Sequence, residues 1–150
     1  MVQFATYSSP FGPIRIGYHE GRILSIRCGS SSEPQEPSDV SELANLQLQE
    51  YFAGERKTFD LPIALVGTPF QLAVWKTIQE IPYGETRTYG QIAAAIGRPA
   101  ASRAVGQAAN RNPCWIVVPC HRVVGSSQTL TGYAGGLSMK RALLELEKTL

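Results

Sequence analysis

Cys120 and His121 stand side by side in this 150-residue chain, and a thiol next to an imidazole is the smallest unit of nucleophilic cysteine chemistry. A free thiol has a pKa of about 8.5, so only roughly 3% of it is thiolate at neutral pH. A reactive cysteine therefore needs a base or a positive environment. His121 can be that base, directly or through a water, and Arg122 in acid-free surroundings would favour the thiolate. The imidazole in turn needs a group to orient it. Glu147, near the end of the last helical stretch, is the candidate, seven residues after Lys140 and so on the same side of a helix. By itself the pair is ambiguous. A buried thiol beside a surface histidine fits it, and so does a Cys-His hydrolase with Glu147 as third member.

The remaining cysteines, Cys28 and Cys114, read as ordinary buried thiols. An odd cysteine count with no CxxC pair argues against a disulfide framework. With His19 and His121 as the only histidines, a four-ligand zinc site is hard to assemble, and no metal or cofactor is expected. No apolar run approaches the roughly 20 residues of a membrane span, and the N-terminus does not read as a secretory signal. A cytoplasmic location is expected, nucleoid-associated in a prokaryote.

Charge is distributed unevenly. Net charge is +2 overall, but residues 1–68 carry five bases against eight acids and residues 69–150 nine bases against four. Between Thr86 and Leu144 there is no Asp or Glu, while Arg87, Arg98, Arg103, Arg111, Arg122, Lys140 and Arg141 fall there. A basic face without acids suits a polyanion, because neutralised phosphates release counterions. An uneven surface with no partner is the alternative.

The elements that must position these residues are legible in outline, and their order is α+β. Ile14, Ile16 and Tyr18, then Leu24, Ile26 and Cys28, alternate as strands of an antiparallel meander turning at Glu20-Gly21. Ser30 to Ser38 reads as a loop. A helix from about Val40 to Ala53 would face Leu43, Leu46, Tyr51 and Phe52 inward. An extended segment through Phe59, Leu61, Ile63 and Leu65 leads to a boundary at Gly67, giving domains 1–67 and 68–150. Thr68-Pro69 starts a helix bearing Phe70, Val74, Ile78 and Ile81 on one face, and Pro82-Tyr83-Gly84 stops it. Thr88 and Gln91 have the form of a capping box, and Ile92, Ala93 and Ile96 make a short stripe that Gly97 closes. Pro99 opens a second helix, Ala100 to Asn110, with almost no bulk apart from Val105 and with Arg103 as its one long side chain. Two short helices joined by a glycine turn form a helix-turn-helix, and this second helix looks built to lie against a groove. Ile116-Val117-Val118 should be a buried strand leading to Pro119 and Cys120. Val123-Val124 continues extended into a turn at Gly125–Gln128, and helices followed by such a hairpin suggest a winged helix-turn-helix. A last helix, from about Leu137 to Lys148, would turn Met139, Ala142, Leu143 and Leu146 inward.

The run Pro119-Cys120-His121-Arg122-Val123 resembles the active-site motif of the O6-alkylguanine-DNA alkyltransferases. So do, in order and spacing, Phe70-Gln71 through Val74-Trp75, Ile81-Pro82-Tyr83-Gly84, Thr88-Tyr89 and Ile92-Ala93. Arg103 to Gly106, Asn112-Pro113, Gly132 to Gly136 and Lys140 to Glu147 complete a match over residues 68–148. Over residues 1–67 the likeness is weaker, although the meander-plus-helix order fits the family's small, ribonuclease H-like N-terminal domain.

The resemblance implies a suicidal transfer of an alkyl group from O6 of guanine, with O4 of thymine as a second target, onto Cys120. His121 would act through a water, with Glu147 completing the relay. Asn112 would brace the active-site turn, and Tyr89 and Lys140 would assist departure of the guanine. Tyr133, Trp115, Val118 and Gly135 would line the base pocket. Ala134 stands where many relatives carry a hydroxyl residue, a departure that bears on one pocket hydrogen bond. Arg103 would fill the space left by a nucleotide flipped through the minor groove. Ala101, Ser102, Ala104 and Gly106 beside it, Thr88 and Gln91, and Arg122 and Ser126 would face DNA. The expected partner is duplex DNA containing O6-alkylguanine, bound by a monomer, with cooperative binding along DNA left open. A DNA-binding module without catalysis is the second reading, and Cys120 is the residue that separates the two.

Overall fold

The computed structural model describes residues 1–30, 32 and 34–148. The expected loop over Ser30–Ser38 lies partly outside these described residues. The chain divides into two compact units, Met1–Val66 with Pro113–Trp115, and Gly67–Asn112 with the chain from Ile116 onward. No helix among the described residues is long and apolar enough to cross a membrane.

The first unit is an antiparallel sheet in the order β1 (Gln3–Tyr7), β2 (Ile14–His19), β3 (Arg22–Cys28), with helix α1 (Asp39–Phe52) packed on β2 and β3. Glu20 and Gly21, both at positive φ (48° and 75°), make the tight β2–β3 turn. Alternation was expected to bury Leu24, but Ile23 and Ile26 are the buried residues. A β-bulge explains the change of phase. Gly17 pairs with Ser25 and Tyr18 with Ile23, which leaves Leu24 as the extra residue. The free edge of β3 takes two short parallel bridges, Ile23 to Ile63 and Ile26 to Cys114.

Helix α1 also corrects the sequence reading. Leu43 and Leu46, expected inward, are 40% and 55% exposed, and the buried face is Ser41, Ala44, Gln47, Leu48 and Tyr51. Two of these are polar, and each has its partners. Gln47 Nε2 donates to the Asp60 carbonyl (3.0 Å) and its Oε1 accepts from the Asp60 N–H (2.9 Å). Ser41 closes the capping box with Ser38 and meets the Tyr7 hydroxyl at 2.9 Å. A satisfied polar group can be buried at little cost, so the leucines were free to lie on the other face.

The second unit packs α2 (Pro69–Gln79), α3 (Tyr89–Ala95) and α4 (Ser102–Asn110) against one another. Both expected capping boxes form, Thr68 with Gln71 and Thr88 with Gln91. Trp75 Nε1 donates to the Ala108 carbonyl at 2.9 Å and ties α2 to α4. Helix α4 begins at Ser102, later than expected. The Ala101 N–H donates to the Arg98 carbonyl (2.9 Å), so Pro99 occupies the second position of a turn rather than the first turn of the helix.

Two further expectations fail. Residues 116–118 are not a strand, because Ile116 adopts φ 74° and the chain turns there. Nor does β5 (Val123–Val124) open a hairpin. It pairs in parallel with β4 (Arg87–Thr88), and the following loop is closed by Gly125 N–H to the Thr129 carbonyl (2.8 Å). Helix α5 (Leu137–Leu146) packs on a 3-10 turn at Cys120–Arg122. It buries Met139, Lys140, Leu143 and Leu144, not Ala142 and Leu146, and ends on Glu147 as its C-cap.

Candidate active site

Cys120 opens the 3-10 turn, and Pro119 before it sets the geometry. Pro119 has φ −82° and ψ 64°, and the Cys120 N–H donates to the Val118 carbonyl at 2.8 Å. That is an inverse γ-turn, for which the proline ring supplies φ. Asn112, 1% exposed, braces it from just beyond α4. Its Nδ2 donates to the Val118 carbonyl (2.8 Å) and to Cys120 Sγ (2.6 Å). Val118 thus serves the site through its backbone, while its side chain is buried.

The Cys120 thiol is 6% exposed, and burial pushes its pKa up to about 12, against the opposing pulls of Asn112 and Lys140. The expectation that Arg122 and acid-free surroundings favour a resting thiolate is therefore corrected. Desolvation outweighs them, and the resting form is the thiol.

His121 is fully buried, and its Nε2 lies 2.7 Å from Glu147 Oε2. Glu147 is 3% exposed. Burial would raise its pKa, but hydrogen bonds from His121 and Arg122 override that and hold the carboxyl at about 2. As a carboxylate it accepts the imidazole proton at Nε2, so Nδ1 carries the lone pair. Among the described residues, Nδ1 is buried without a hydrogen-bond partner. Burial also lowers the pKa of His121, so the ring is a neutral base.

Arg122 is the clearest correction among the expected DNA contacts. It is 6% exposed. Its Nε and Nη2 fork onto Glu147 at 2.8 and 2.9 Å, and Nη1 donates to the Ile81 carbonyl at 2.7 Å. A guanidinium so committed does not face a phosphate.

Tyr89 and Lys140 meet at one acceptor. The Tyr89 hydroxyl donates to the Thr131 carbonyl at 3.0 Å, and Lys140 Nζ donates to the same oxygen at 2.8 Å. Lys140 also donates to the carbonyls of Val123 (2.6 Å) and Gly132 (3.2 Å). Burial lowers its pKa to about 8, opposed by Cys120. Sequence reasoning missed this carbonyl hub, because a backbone oxygen leaves no mark in residue type.

The other expected residues are dispersed. Tyr133 and Gly135 are half-buried in the 131–136 loop. Trp115 belongs to the first unit, where its backbone N–H donates to the Ile26 carbonyl at 2.9 Å. On α4, Ser102, Arg103 and Ala104 are exposed, Gly106 is half-buried, and Val105, Ala108 and Ala109 face the core. Ala101 is the N-cap of that helix. The Thr88 and Gln91 side chains are held in their cap, and Ser126 is exposed. Among the described residues, no group of three His, Cys, Asp or Glu is placed to hold a metal ion.

The arrangement is a buried thiol on a rigid turn, a neutral imidazole with one open nitrogen, and a carboxylate that fixes the tautomer. These are the parts that a nucleophilic cysteine requires, a thiol, a base and a group that orients the base.

Comparison with known proteins agrees along the whole chain. A family model described as 6-O-methylguanine DNA methyltransferase, DNA binding domain, matches residues 69–149. A second, for the ribonuclease-like domain of 6-O-methylguanine DNA methyltransferase, matches residues 2–65. The methylated-DNA–protein-cysteine methyltransferase of Methanosarcina acetivorans is 49% identical, over 97% of this chain and 98% of its own. A constitutive methylated-DNA–protein-cysteine methyltransferase of Bacillus subtilis is 46% identical, over 99% and 96%. The crystal structure of Mycobacterium tuberculosis OGT in complex with DNA has a TM-score of 0.91 and 48% identity, over 98% of this chain and 93% of that one.

Proposed function

Because the chain belongs to the 6-O-methylguanine DNA methyltransferase family through both of its units, we propose that it repairs alkylated DNA by taking the alkyl group of O6-alkylguanine onto Cys120. The observation that carries the reading is the Asn112–Cys120 and His121–Glu147 pairing on one turn, in the unit that also presents the small-faced helix α4.

In this account His121 takes the thiol proton at Nδ1, through a water, while Glu147 stabilises the imidazolium that forms. The Cys120 sulfur attacks the alkyl carbon in line. The S–C bond forms, the C–O6 bond breaks, and the electron pair leaves with guanine. The purine then takes up a proton, for which the Tyr89 hydroxyl is the donor once it releases Thr131. Asn112 holds the sulfur through the displacement, and Lys140 keeps the 131–132 backbone in place. Generating the thiolate late protects a group whose thiol is favoured at rest.

O6 of a stacked guanine cannot meet a buried thiolate, so the nucleotide is flipped out through the minor groove at a cost of about a few kcal/mol. Arg103, exposed on α4, fills the gap, and stacking on Tyr133 returns roughly 1–3 kcal/mol. The thioether is stable, so each molecule repairs one lesion. Larger alkyl groups and O4 of thymine follow from the same chemistry, since the attacked atom is an sp³ carbon in each.

The test is a titration of a duplex containing O6-methylguanine against the protein. Repair should stop at one lesion per molecule and vanish in Cys120→Ala. Repair of many lesions per molecule would replace this reading with a hydrolytic one, and lesion binding without repair would leave a recognition module.

A further inference from the structure

Glu147 is enclosed by donors. Its Oε2 accepts from His121 Nε2 (2.7 Å) and Arg122 Nη2 (2.9 Å), and its Oε1 from Arg122 Nε (2.8 Å). Arg122 is pinned in turn by the Ile81 carbonyl at 2.7 Å and lies 5.7 Å from the centre of the Tyr83 ring. From this geometry we infer that Arg122 is a positioning residue for the transfer. By forking onto Glu147 it fixes the plane of the carboxylate and balances its charge, so that His121 stays neutral with Nδ1 open to the Cys120 proton. The inference rests on the alkyl-transfer reading above.

Two parallel N–H···O bonds allow the carboxylate one orientation, which a single ammonium would not impose. That orientation aims Oε2 at the imidazole and selects the Nε2–H tautomer. Charge matters equally. A lone carboxylate beside a histidine favours imidazolium, and imidazolium has no lone pair to receive a proton. Arg122 sets an equal positive charge against the same two oxygens.

The other groups facing His121 do not undo this. Lys140, from α5, disfavours imidazolium as Arg122 does. Cys120 is a neutral thiol at rest. Helix α2, packed on the same turn, buries Val74, Trp75 and Ile78 and no charge. Tyr83, whose hydroxyl burial shifts upward, is neutral as well.

Two variants separate orientation from charge. Arg122→Gln removes both, whereas Arg122→Lys keeps the charge and loses the fork. Imidazole nitrogen NMR reads tautomer and protonation directly, and the chain has just two histidines, so His19→Gln assigns the signals. In the unmodified protein His121 should be the neutral Nε2–H tautomer at pH 7. In Arg122→Gln its midpoint should rise by about 1–3 pH units. The rate of Cys120 benzylation by free O6-benzylguanine should fall about tenfold per unit below that midpoint and recover, as pH rises, to the level of Arg122→Lys. In Arg122→Lys the midpoint should stay in place while the rate drops at every pH.

An unchanged His121 midpoint and tautomer in Arg122→Gln overturns the inference, and so does a rate loss there that is the same at every pH. If Arg122→Gln does not fold, Arg122→Lys still decides, because an unmodified rate and tautomer there would exclude a positioning role. Unmodified protein that left benzylguanine intact would sink the alkyl-transfer reading instead, while the NMR titration would still test Arg122.

Discussion

In the unit built on the three-stranded sheet, the buried polar side chains among the described residues are Ser41 and Gln47. Both are uncharged, and both are bonded to a helix cap or a loop backbone. In the helical unit the corresponding groups are Asn112, His121, Arg122, Lys140 and Glu147. Four of these five can carry charge, and they cluster around or behind one thiol. Burying satisfied neutral groups costs little, whereas burying charges is expensive even when they are paired. The first unit uses buried polarity to hold an element in place. The second accepts the cost where shifted proton affinities can do chemistry.

Substitutions can break or sharpen that contrast. The largest effect is expected at His121, where His121→Gln should slow transfer to Cys120 by about 10²–10⁴-fold, the usual scale of a lost general base. A rate within a few-fold of the unmodified protein would remove His121 from the account. Next, Glu147→Ala should cost about 3–5 kcal/mol in denaturant unfolding, because it leaves the Arg122 guanidinium buried without its counter-charge. A cost below 1 kcal/mol, on the order of a surface pair, would mean that the cluster is not buried in solution.

Acid should find the same cluster. Glu147 is held at about 2, so its contribution is full above the unfolded-state value of about 4.3 and is lost as pH falls from there toward the folded value. His121 is shifted downward by burial, so the unfolded chain takes its proton first, and stability also falls as pH drops below about 6.5. Thermal melts across this range should flatten in Glu147→Gln over the lower part, where the carboxylate titrates. A slope unaffected by that change would place the acid sensitivity elsewhere.

Arg103→Ala should weaken repair of duplex DNA by up to the flipping cost of about a few kcal/mol while sparing reaction with free O6-benzylguanine. Equal losses on both substrates would exclude a role in flipping. The smallest effect belongs to the first unit. Gln47→Ala should cost about 1–3 kcal/mol, independent of pH, by stranding the Asp60 backbone groups. A pH-dependent cost there would erase the distinction between the units.

The two units also differ in how far their sequence discloses them. Local chemistry was readable in both. The capping boxes at Thr68 and Thr88, the Glu20-Gly21 turn and the Cys120-His121 pair each sit within a few residues of their cause. Errors came where a distant partner decided. Leu43 and Leu46 looked like core because the Asp60 backbone that satisfies Gln47 lies 13 residues away. Arg122 read as a DNA contact because Glu147, 25 residues on, is what neutralises it. The three apolar residues from Ile116 read as a strand, and nothing in their types announces a turn at positive φ. Glu147 was found from the sequence because a nucleophile–base pair requires a third member, a chemical demand rather than a pattern.

The thiols provide the sharpest contrast between the units. Cys28 in the first unit is partly exposed, whereas Cys120 is buried and its pKa is raised to about 12. Accessibility alone would direct an alkylating agent to Cys28. After reaction with a duplex containing O6-methylguanine, peptide mapping by mass spectrometry should find one methyl group, on Cys120, with Cys28 and Cys114 unmodified. A methyl group on Cys28, or none on any cysteine while the lesion disappears, would contradict the account.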